Sequence, residues 1–390
     1  MKFVDVKGGI FLAFSIMSKI KNVKLRNCIN SIIENVKDFH DNPFLYSFTD
    51  HGIKHSTRML DCINSLLEGC QQKSLLNEYE CYVLIAAIYL HDIGIQESKV
   101  EVLTKFARAY NIPFDSTINI PEFVRNNHHF ISAYLIKEDI SGKSEPLVYV
   151  GDVELGYYIA LVVESHGIDF SEKDDIYRTY IYHDKSIDIK LLSVLLCLAD
   201  AFDCDNRRID QKKFKYVELP KISRIHWIKH LYVKGIIFKN RIITISYSFP
   251  VLGENEQEMY KIFFCNETEC WIEYMKNKYL SILNDVNLVF QVKREVSYVP
   301  YIEKLDMEDY SYVEETVFDN IIKNKENLKY RIVSIGVLLH NKKVLMVRRK
   351  NPERSLSASE PTAILEWQFP AGIVKTIDTL HYSQVSGHNL

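Results

Sequence analysis

Apolar residues recur every three or four positions over most of the first 210 residues, which is the spacing of one helix face. The first such segment covers 24–39 and is broken by Pro43. A second helix is expected to begin near Thr49-Asp50, which can cap it. Further helices are predicted at 79–90, 100–110, 121–136, 155–165 and 187–202. The pattern therefore predicts a mainly α fold over about residues 20–210.

Alternating, β-branched and aromatic residues follow the helical part and indicate an α+β appendage. Strands are predicted at 214–219, 233–238 and 241–249, and the last two would be joined by a tight turn at Lys239-Asn240. A helix at 256–284, a strand-like segment at 286–299, helix-and-linker material to 329 and a β-hairpin from 332 to 349 complete the prediction. We divide the chain into a helical extension (1–40), a helical domain (41–210), the appendage (211–325) and a β-rich segment (326–390).

Composition narrows the range of functions. The chain has 390 residues, a formal net charge of −3 and a pI of about 6.5, so bulk charge does not favour nucleic acid as a partner. Its eight cysteines include no CxxC pair and mostly lie among apolar residues, as reduced thiols do. The apolar stretch 9–17 is too short to span a bilayer and lacks a small-residue cleavage site. We expect a cytoplasmic protein without a membrane partner.

The candidate chemistry starts at His91-Asp92, which closes the apolar run 83–90. Both side chains are metal ligands, and burying them without partners would cost several kcal/mol. Further residues of these types flank the pair in the order His51, His55, His128, His166 and Asp200. Each histidine taken singly is more often a structural residue. The joint order is what indicates a metal centre.

Spacing adds detail to this hypothesis. His51 and His55 are four residues apart and would share one face of a helix. Of His128 and its neighbour His129 only one can face a site on a helix, and we expect it to be His128. A buried carboxylate in an apolar helix needs a cation or several donors, and this is the setting of Asp200. Asp203, one turn later, is expected to support a ligand through a hydrogen bond.

At these residues the chain resembles the HD-domain superfamily of metal-dependent phosphohydrolases, over about residues 45–210. The motifs are TDHGIKHSTRM (49–59), YLHDIG (89–94), RNNHHFISAYLI (125–136), ESHGID (164–169) and LADAFD (198–203). The resemblance implies an HD-domain helical bundle. It implies as core ligands His55, His91, Asp92 and Asp200, and as ligands of a second metal His128 and His166. It also implies that His51 is a general acid.

One departure limits the resemblance. Ile95 stands where the HD-GYP members carry Lys, and no GYP triplet follows His166. We therefore do not expect hydrolysis of cyclic dinucleotides of that type. The closest resemblance is to HD proteins of bacterial conflict and signalling systems, whose substrates the motif does not define.

Histidine and carboxylate ligands suit Mn²⁺, Fe²⁺, Co²⁺, Ni²⁺ or Zn²⁺, and Mg²⁺ is also allowed. Two ions bridged by Asp92 would activate a water for in-line attack on a phosphoester. His51 would then protonate the leaving alkoxide. Arg58, Arg207 and Arg208 are candidate phosphate clamps, although a surface salt bridge is an equal alternative for any one of them.

Other histidines are interpreted as structural. His183-Asp184 repeats the dipeptide, but no apolar helix leads to it. His226 and His230 flank Trp227 in the appendage, again four residues apart. We expect neither group to bind metal.

The last segment resembles the opening of a Nudix hydrolase domain over about residues 330–375, in RIVSIGVLLHNKKVLMVRRK (331–350) and EWQFPAGIVK (366–375). In that family a helix with acidic Mg²⁺ ligands follows. Here Asp378 and Ser386-Gly387 stand at the positions of Glu and Arg-Glu. We expect an incomplete Nudix-like domain without Nudix catalysis. Its exposed sheet edge could take a protein partner or a second copy of the chain.

The favoured function is an HD-type phosphohydrolase acting on a phosphoester of a nucleotide or a nucleotide-derived signal. A phosphodiesterase, a nucleotidase and a nucleoside triphosphohydrolase are not separated, and the Nudix-like segment favours a nucleotide by analogy only. The alternative is a sensor in a defence or signalling system that holds a nucleotide in the HD pocket without turnover. A third interpretation is a helical interaction protein with coincidental histidines. The complete ligand set favours the enzyme.

Overall fold

The computed structural model describes the backbone of residues 2–4, 10–12, 14–40, 49–142, 152–170, 173–323 and of short strands between 332 and 384. Side chains are described from residue 14 to 317 within these ranges, except at 38–40 and 211. The chain forms two compact units. One comprises Met1–Ser246 with Glu269–Glu295, and the other Tyr247–Thr268 with Val296–Leu390.

Seven helices build the first unit: α1 (Val23–His40), α2 (Ile53–Gly69), α3 (Glu78–Leu90), α4 (Val100–Ala109), α5 (Ile120–Ile140), α6 (Val153–Ser165) and α7 (Ile189–Phe202). α3 is the central helix and packs against α1, α2, α6 and α7. It is apolar on every face, and all residues from Cys81 to Leu90 are buried. A capping box of Asn77 and Glu80 fixes its start, and it ends directly before His91.

Smaller elements complete the first unit. Strands β1 (Lys2–Val4) and β2 (Ile10–Leu12) pair antiparallel near the start of the chain. The hairpin of β3 (Thr179–Tyr182) and β4 (Lys185–Asp188) leads into α7. After α7 come α8 (Gln211–Tyr216), α9 (Lys221–Ile228), β5 (Val233–Lys239) and β6 (Ile242–Phe249). β5, β6 and a later strand, β7 (Gln291–Tyr298), are neighbours in that order.

The remaining helices follow β6 along the chain: α10 (Glu254–Tyr260), a π-helical turn (Lys261–Asn266), α11 (Glu267–Lys278), α12 (Leu280–Asp285) and α13 (Met307–Lys323). In the second unit, the strands are β8 (Ile332–Val333), β9 (Leu339–His340), β10 (Lys343–Lys350), β11 (Leu365–Gln368), β12 (Ile373–Val374) and β13 (Ile377–Gln384). β10 lies between β11 and β13 and also pairs with β9, whereas β8 pairs with β12.

The mainly helical class is confirmed, and a helix is present at each of the seven predicted places, although α2 starts at Ile53 and α7 at Ile189, both later than predicted. The pairing of Leu339 with Val344 also agrees with the predicted C-terminal hairpin. The Nudix-like interpretation itself concerns side chains that lie outside the described part of the chain. No helix of the described residues is both long and apolar enough to cross a membrane.

The strand predicted at 214–219 is wrong, because residues 214–216 form the end of the helix α8 and no strand is present at 217–219. Asp210 caps α8 by accepting hydrogen bonds from the backbone N–H groups of Lys212 and Lys213. The ring of Phe214 stacks on Trp227 with centroids 6.4 Å apart. Local capping and this aromatic contact therefore outweigh the alternating pattern of Phe214, Tyr216 and Val217.

Two further boundaries differ from the prediction. The β5–β6 turn is formed by Asn240 and Arg241, both with positive φ, one residue later than expected. The long helix predicted at 256–284 is interrupted at Tyr279, which leaves helical geometry (φ −110°, ψ 20°). The buried Tyr279 ring stacks on Phe170 with centroids 4.9 Å apart, a contact between residues distant in sequence.

Candidate metal centre

Five helices of the first unit bring the predicted ligands to one place. α2 contributes His55, the end of α3 is followed by His91 and Asp92, α5 contributes His128, α6 is followed by His166, and α7 contributes Asp200. These side chains form two groups that share Asp92.

The first group contains His55, His91, Asp92 and Asp200. The Nε2 atoms of His55 and His91 are 3.3 Å apart. His91 Nε2 lies 3.0 Å from Asp92 Oδ2, and His55 Nε2 lies 3.7 Å from the same oxygen. Asp200 Oδ1 lies 3.4 Å from His55 Nε2. The two imidazoles and the Asp92 carboxylate therefore converge on one point, and Asp200 joins them through its contact with His55.

The second group uses the other oxygen of Asp92. Asp92 Oδ1 lies 3.6 Å from His128 Nε2 and 3.7 Å from His166 Nε2. The Nε2 atoms of His128 and His166 are 3.1 Å apart. One carboxylate thus presents one oxygen to each group.

Hydrogen bonds at Nδ1 fix the tautomer of all four histidines. A carbonyl oxygen can only accept, so a histidine whose Nδ1 lies against a carbonyl carries its proton there. Three of them donate to the carbonyl three residues earlier: His91 to Ile88 (2.9 Å), His128 to Arg125 (2.7 Å) and His166 to Val163 (2.6 Å). His55 Nδ1 instead bonds Asp203 Oδ2 at 2.6 Å. Every Nε2 lone pair therefore points into the centre when the imidazole is neutral.

This arrangement fits divalent metal ions. Two nitrogen lone pairs that face each other across 3.1 or 3.3 Å repel unless a cation or a proton lies between them. Ligand atoms bonded to a transition metal at about 2.0–2.2 Å lie roughly 3–3.6 Å from one another. The separations here, from 3.0 to 3.7 Å, approach those values. Both groups are therefore consistent with divalent metal binding.

The electrostatics of the centre follow from burial and from its mixed charges. Burial would raise the pKa of Asp92, but the surrounding imidazoles, His91 first, hold it well below its usual range. Burial and then the neighbouring His128 lower the pKa of His166 to about 3, so it is neutral at pH 7. Burial opposes ionisation of Asp200 as well, yet Arg208 and the nearby histidines lower its pKa to about 2. The centre thus keeps two anionic carboxylates beside the neutral His166, whereas the charge of Asp92 outweighs burial and raises the pKa of His91.

Asp203 lies behind His55 and also binds Arg58. Its Oδ2 accepts from His55 Nδ1, and its Oδ1 accepts from Arg58 Nε, each at 2.6 Å. Arg58 Nη2 is 3.0 Å from Asp203 Oδ2 and 3.1 Å from Asp50 Oδ2. Asp203 thus takes the supporting position expected for it. Arg58 is buried and its donors point to carboxylates, so the geometry favours a positioning role over the predicted phosphate clamp.

His51 precedes α2 and does not share a helix face with His55. The helix starts at Ile53, and Gly52 is its N-cap residue. Asp50 does not cap α2 as predicted, because its carboxylate accepts hydrogen bonds from the Gly52 N–H (3.0 Å) and from Arg58. Even so, the rings of His51 and His55 are 5.8 Å apart.

The geometry of His51 does not favour the predicted general acid. Its Nδ1–H donates to Thr49 O at 2.7 Å, and Arg208 Nη2 lies 3.3 Å from its Nε2. Burial lowers its pKa to about 3 against the opposing effect of Asp92, and the positive Arg208 contributes to the lowering. His51 is therefore a neutral acceptor of the Arg208 hydrogen bond at pH 7.

The two arginines after α7, Arg207 and Arg208, have different surroundings. Arg208 lies at the edge of the centre, where its Nη1 is 3.3 Å from Asp200 Oδ1 and 2.9 Å from the carbonyl of Asp203. Arg207 pairs with Asp205 instead, and 66% of its side chain is exposed. Only Arg208 remains a candidate for contact with a substrate.

Gly94 and Ser132 are part of the centre that the sequence did not single out. The Gly94 N–H donates to Ser132 Oγ at 2.8 Å, which links the segment after Asp92 to α5. A Cβ at Gly94 would lie 2.3 Å from the carbonyl oxygen of His128. The sequence signal for this contact is the glycine two residues after Asp92, because a residue without Cβ permits such a close approach.

His183 and His129 belong to neither of the two groups. His183 and Asp184 are exposed in the β3–β4 turn, as expected for a pair that does not bind metal. His129 packs against Gly167, its ring centroid lies 5.5 Å from that of His128 and 5.7 Å from that of His166, and its buried Nε2 has no hydrogen-bond partner among the described residues.

The bundle and its two His/Asp groups define a helical protein with a candidate metal site of the HD type. The family model HD-CE matches residues 45–276, more than half of the chain, and the chain belongs to this HD-domain family. The match ends before the segment 326–390, so it does not support the Nudix resemblance. No curated protein matches the chain.

Proposed function

We propose that the protein is a metal-dependent phosphohydrolase that cleaves a phosphoester of a nucleotide or a nucleotide-derived signal. One observation carries this proposal. The Nε2 atoms of two histidine pairs, His55 with His91 and His128 with His166, face each other, and each pair lies beside one oxygen of Asp92. Two divalent ions held there would supply an activated water and would neutralise charge on the phosphoryl oxygens.

The protein's own groups define how a substrate would approach. Asp200 and His128 are the most exposed of the ligands, with 36% and 25% of their side chains accessible, whereas the side chains of His55 and His91 are at most 1% exposed. A phosphate group would therefore reach the centre past Asp200 and His128. Arg208 lies beside Asp200 and offers positive charge at this opening.

The test combines metal analysis with a screen for turnover. Purified protein is expected to contain divalent metal, and with Mn²⁺ to release phosphate or nucleoside from at least one nucleotide. The double variant His91→Ala/Asp92→Ala should lose both metal and turnover. The matched control is His183→Ala/Asp184→Ala, which removes the same dipeptide from an exposed turn and should retain both.

Two results would count against the enzyme. Turnover that is unchanged in His91→Ala/Asp92→Ala would place the activity elsewhere. Stoichiometric nucleotide binding without turnover in any metal would identify a sensor that uses the same pocket. A role in bacterial defence stays a proposal that rests on resemblance alone.

A further inference from the structure

His129 contacts both histidines of the second group, although it belongs to neither group itself. Its side chain is buried, with 6% of the residue exposed. Its ring meets the rings of His128 and His166 nearly at right angles, with interplanar angles of 84° and 79°. This third imidazole is therefore part of the immediate surroundings of the second group.

The face of the His129 ring packs against the backbone of Gly167. A Cβ at Gly167 would lie 2.2 Å from Cγ of His129, 2.3 Å from Nδ1 and 2.5 Å from Cδ2. Cγ and its two ring neighbours are thus almost equally distant, which places the ring face, and not its edge, over the glycine. Only a residue without Cβ permits this approach. α5 is thereby in direct contact with the residue that follows His166.

This contact lies just beyond the last turn of α6. The helix ends at Ser165, and His166 is its C-cap residue. The next backbone hydrogen bond, from the Ile168 N–H to Ser165 O, is long at 3.3 Å. Packing of Gly167 on His129 therefore helps to set where the His166 backbone lies relative to α5.

The contacts of the His129 ring depend on its shape. Its Nε2 is buried and has no hydrogen-bond partner within the described part of the chain, so this nitrogen adds no stabilising hydrogen bond. The ring instead packs against Gly167, His166 and Phe130, whose ring centroid is 4.1 Å away. A planar ring at this position is what the geometry requires.

Gly94 makes a second close approach to α5. A Cβ there would lie 2.3 Å from the carbonyl oxygen of His128 and 2.8 Å from the backbone nitrogen of Ser132. Gly94 follows Asp92 by two residues, and Gly167 follows His166 by one. Two of the three side chains of the second group are thus followed by a glycine that packs on α5, and the third, His128, is on α5 itself.

We propose that His129 is a positioning residue for a divalent ion at the second group: its ring holds His166 at the distance from His128 at which both Nε2 atoms can bind one ion. The inference rests on the proposed function in one respect, the binding of an ion by the second group. His129 is not itself a ligand, in agreement with the expectation from the sequence. It acts through the backbone of Gly167.

The first test measures metal binding without any substrate. Protein loaded with Mn²⁺ is dialysed and its metal content is determined, and competition with a chelator gives the affinity for each ion. His129→Ala should weaken binding of the second ion by about 10–100-fold and leave the ion of the first group in place, as expected when the support of a ligating histidine is lost. His129→Phe keeps a planar ring without the nitrogen atoms and should retain both ions. The matched control is His183→Ala, which removes an exposed histidine and should also retain both.

The second test uses the glycine. Gly167→Ala introduces a clash and no backbone strain, because Gly167 does not have a positive φ, and it should weaken the second ion as well. The double variant His129→Ala/Gly167→Ala leaves room for the Cβ where the ring was, so the two losses should not add. Gly235→Ala, with open space around its Cβ, is the control and should bind as wild type does. Circular dichroism and the ion of the first group report whether each variant keeps its fold.

Several results would overturn the inference. These are equal affinity of wild type and His129→Ala for the second ion, an equal loss in His129→Phe and His129→Ala, additive losses in the double variant, and a wild-type protein that binds only one ion. Two ions whose binding depends on His129, in a protein without turnover of any nucleotide, would refute the phosphohydrolase and retain the positioning role of His129.

Discussion

Asp203 offers the sharpest test of how the centre is held. Its two oxygens accept three hydrogen bonds, from His55 Nδ1, Arg58 Nε and Arg58 Nη2, at 2.6, 2.6 and 3.0 Å. Asp203→Asn keeps the shape but leaves one oxygen acceptor, and its amide N–H₂ then faces a donor of His55 or Arg58. The change therefore removes the charge that compensates a buried guanidinium.

The size of the effect follows from burial. Breaking a buried ion pair costs about 3–5 kcal/mol, and we expect the lower end because Asp50 still binds Arg58 Nη2. Loss of a hydrogen bond behind a metal-ligating histidine typically lowers metal affinity by about 10–100-fold. Asp203→Asn should thus reduce both the stability of the metal-free protein and its affinity for metal at the group that contains His55.

Urea unfolding in EDTA, followed by the far-ultraviolet signal of the helices, measures the first effect, and competition with a chelator measures the second. Asp205→Asn is the matched control. Asp205 is also buried, but it pairs with the exposed Arg207, so its loss should cost at most about 1 kcal/mol and leave metal affinity unchanged. Equal stability and metal affinity in Asp203→Asn and wild type would refute the reasoning.

The same variant predicts a pH dependence. Burial would raise the pKa of Asp203, but its hydrogen bonds with His55 and Arg58 hold it far below the usual range. A lowered carboxyl pKa contributes stability above the unfolded-state pKa of about 3.9, and this contribution is lost as the pH falls further. The difference in unfolding free energy between wild type and Asp203→Asn should therefore have its largest value at pH 7 and should decrease below about pH 4.

Two further substitutions test the packing and the division of the centre. Gly94→Ala would place a Cβ 2.3 Å from the carbonyl oxygen of His128 and should destabilise the protein by about 1–3 kcal/mol in urea unfolding. The control is Gly235→Ala, which has open space around its Cβ and should leave the stability unchanged. Equal unfolding midpoints of the two variants would contradict the close approach at Gly94. His166→Ala should lower the metal content by one ion and Asp92→Ala by both, as measured by elemental analysis; a full complement in Asp92→Ala would contradict its bridging position.

The resemblance implied the candidate ligands, and the apolar period readable from the sequence placed each of them within or directly after a helix. His128 and His129 show how much helical periodicity can predict. Helical geometry permits only one of two adjacent side chains to face a given point, and His128 is the one that lies beside Asp92. Local periodicity therefore carried most of the information about the centre.

Interactions between distant segments carried the rest. Arg58 has a spacing on α2 that suits a phosphate clamp, but Asp203, 145 residues later, binds its guanidinium. His51 was expected on a helix, yet the hydrogen bonds of Asp50 delay the start of α2 to Ile53. The Arg58–Asp203 contact has no signature in the local sequence, because it depends on where the fold places a second chain segment, whereas the hydrogen bond between Asp50 and Gly52 is a local contact that the predicted capping role did not anticipate.

The buried helix α3 explains how ligands so far apart in sequence meet with this geometry. A helix that is apolar on all faces can be surrounded by other helices, and α2, α6 and α7 pack directly against α3. His91 and Asp92 follow its last turn, so their position is fixed by the best-packed element of the unit. The neighbouring helices then bring His55, His166 and Asp200 to the same end of α3. Packing of the hydrophobic core therefore orients these side chains, and the buried Asp92, two residues after the end of α3, presents one oxygen to each group.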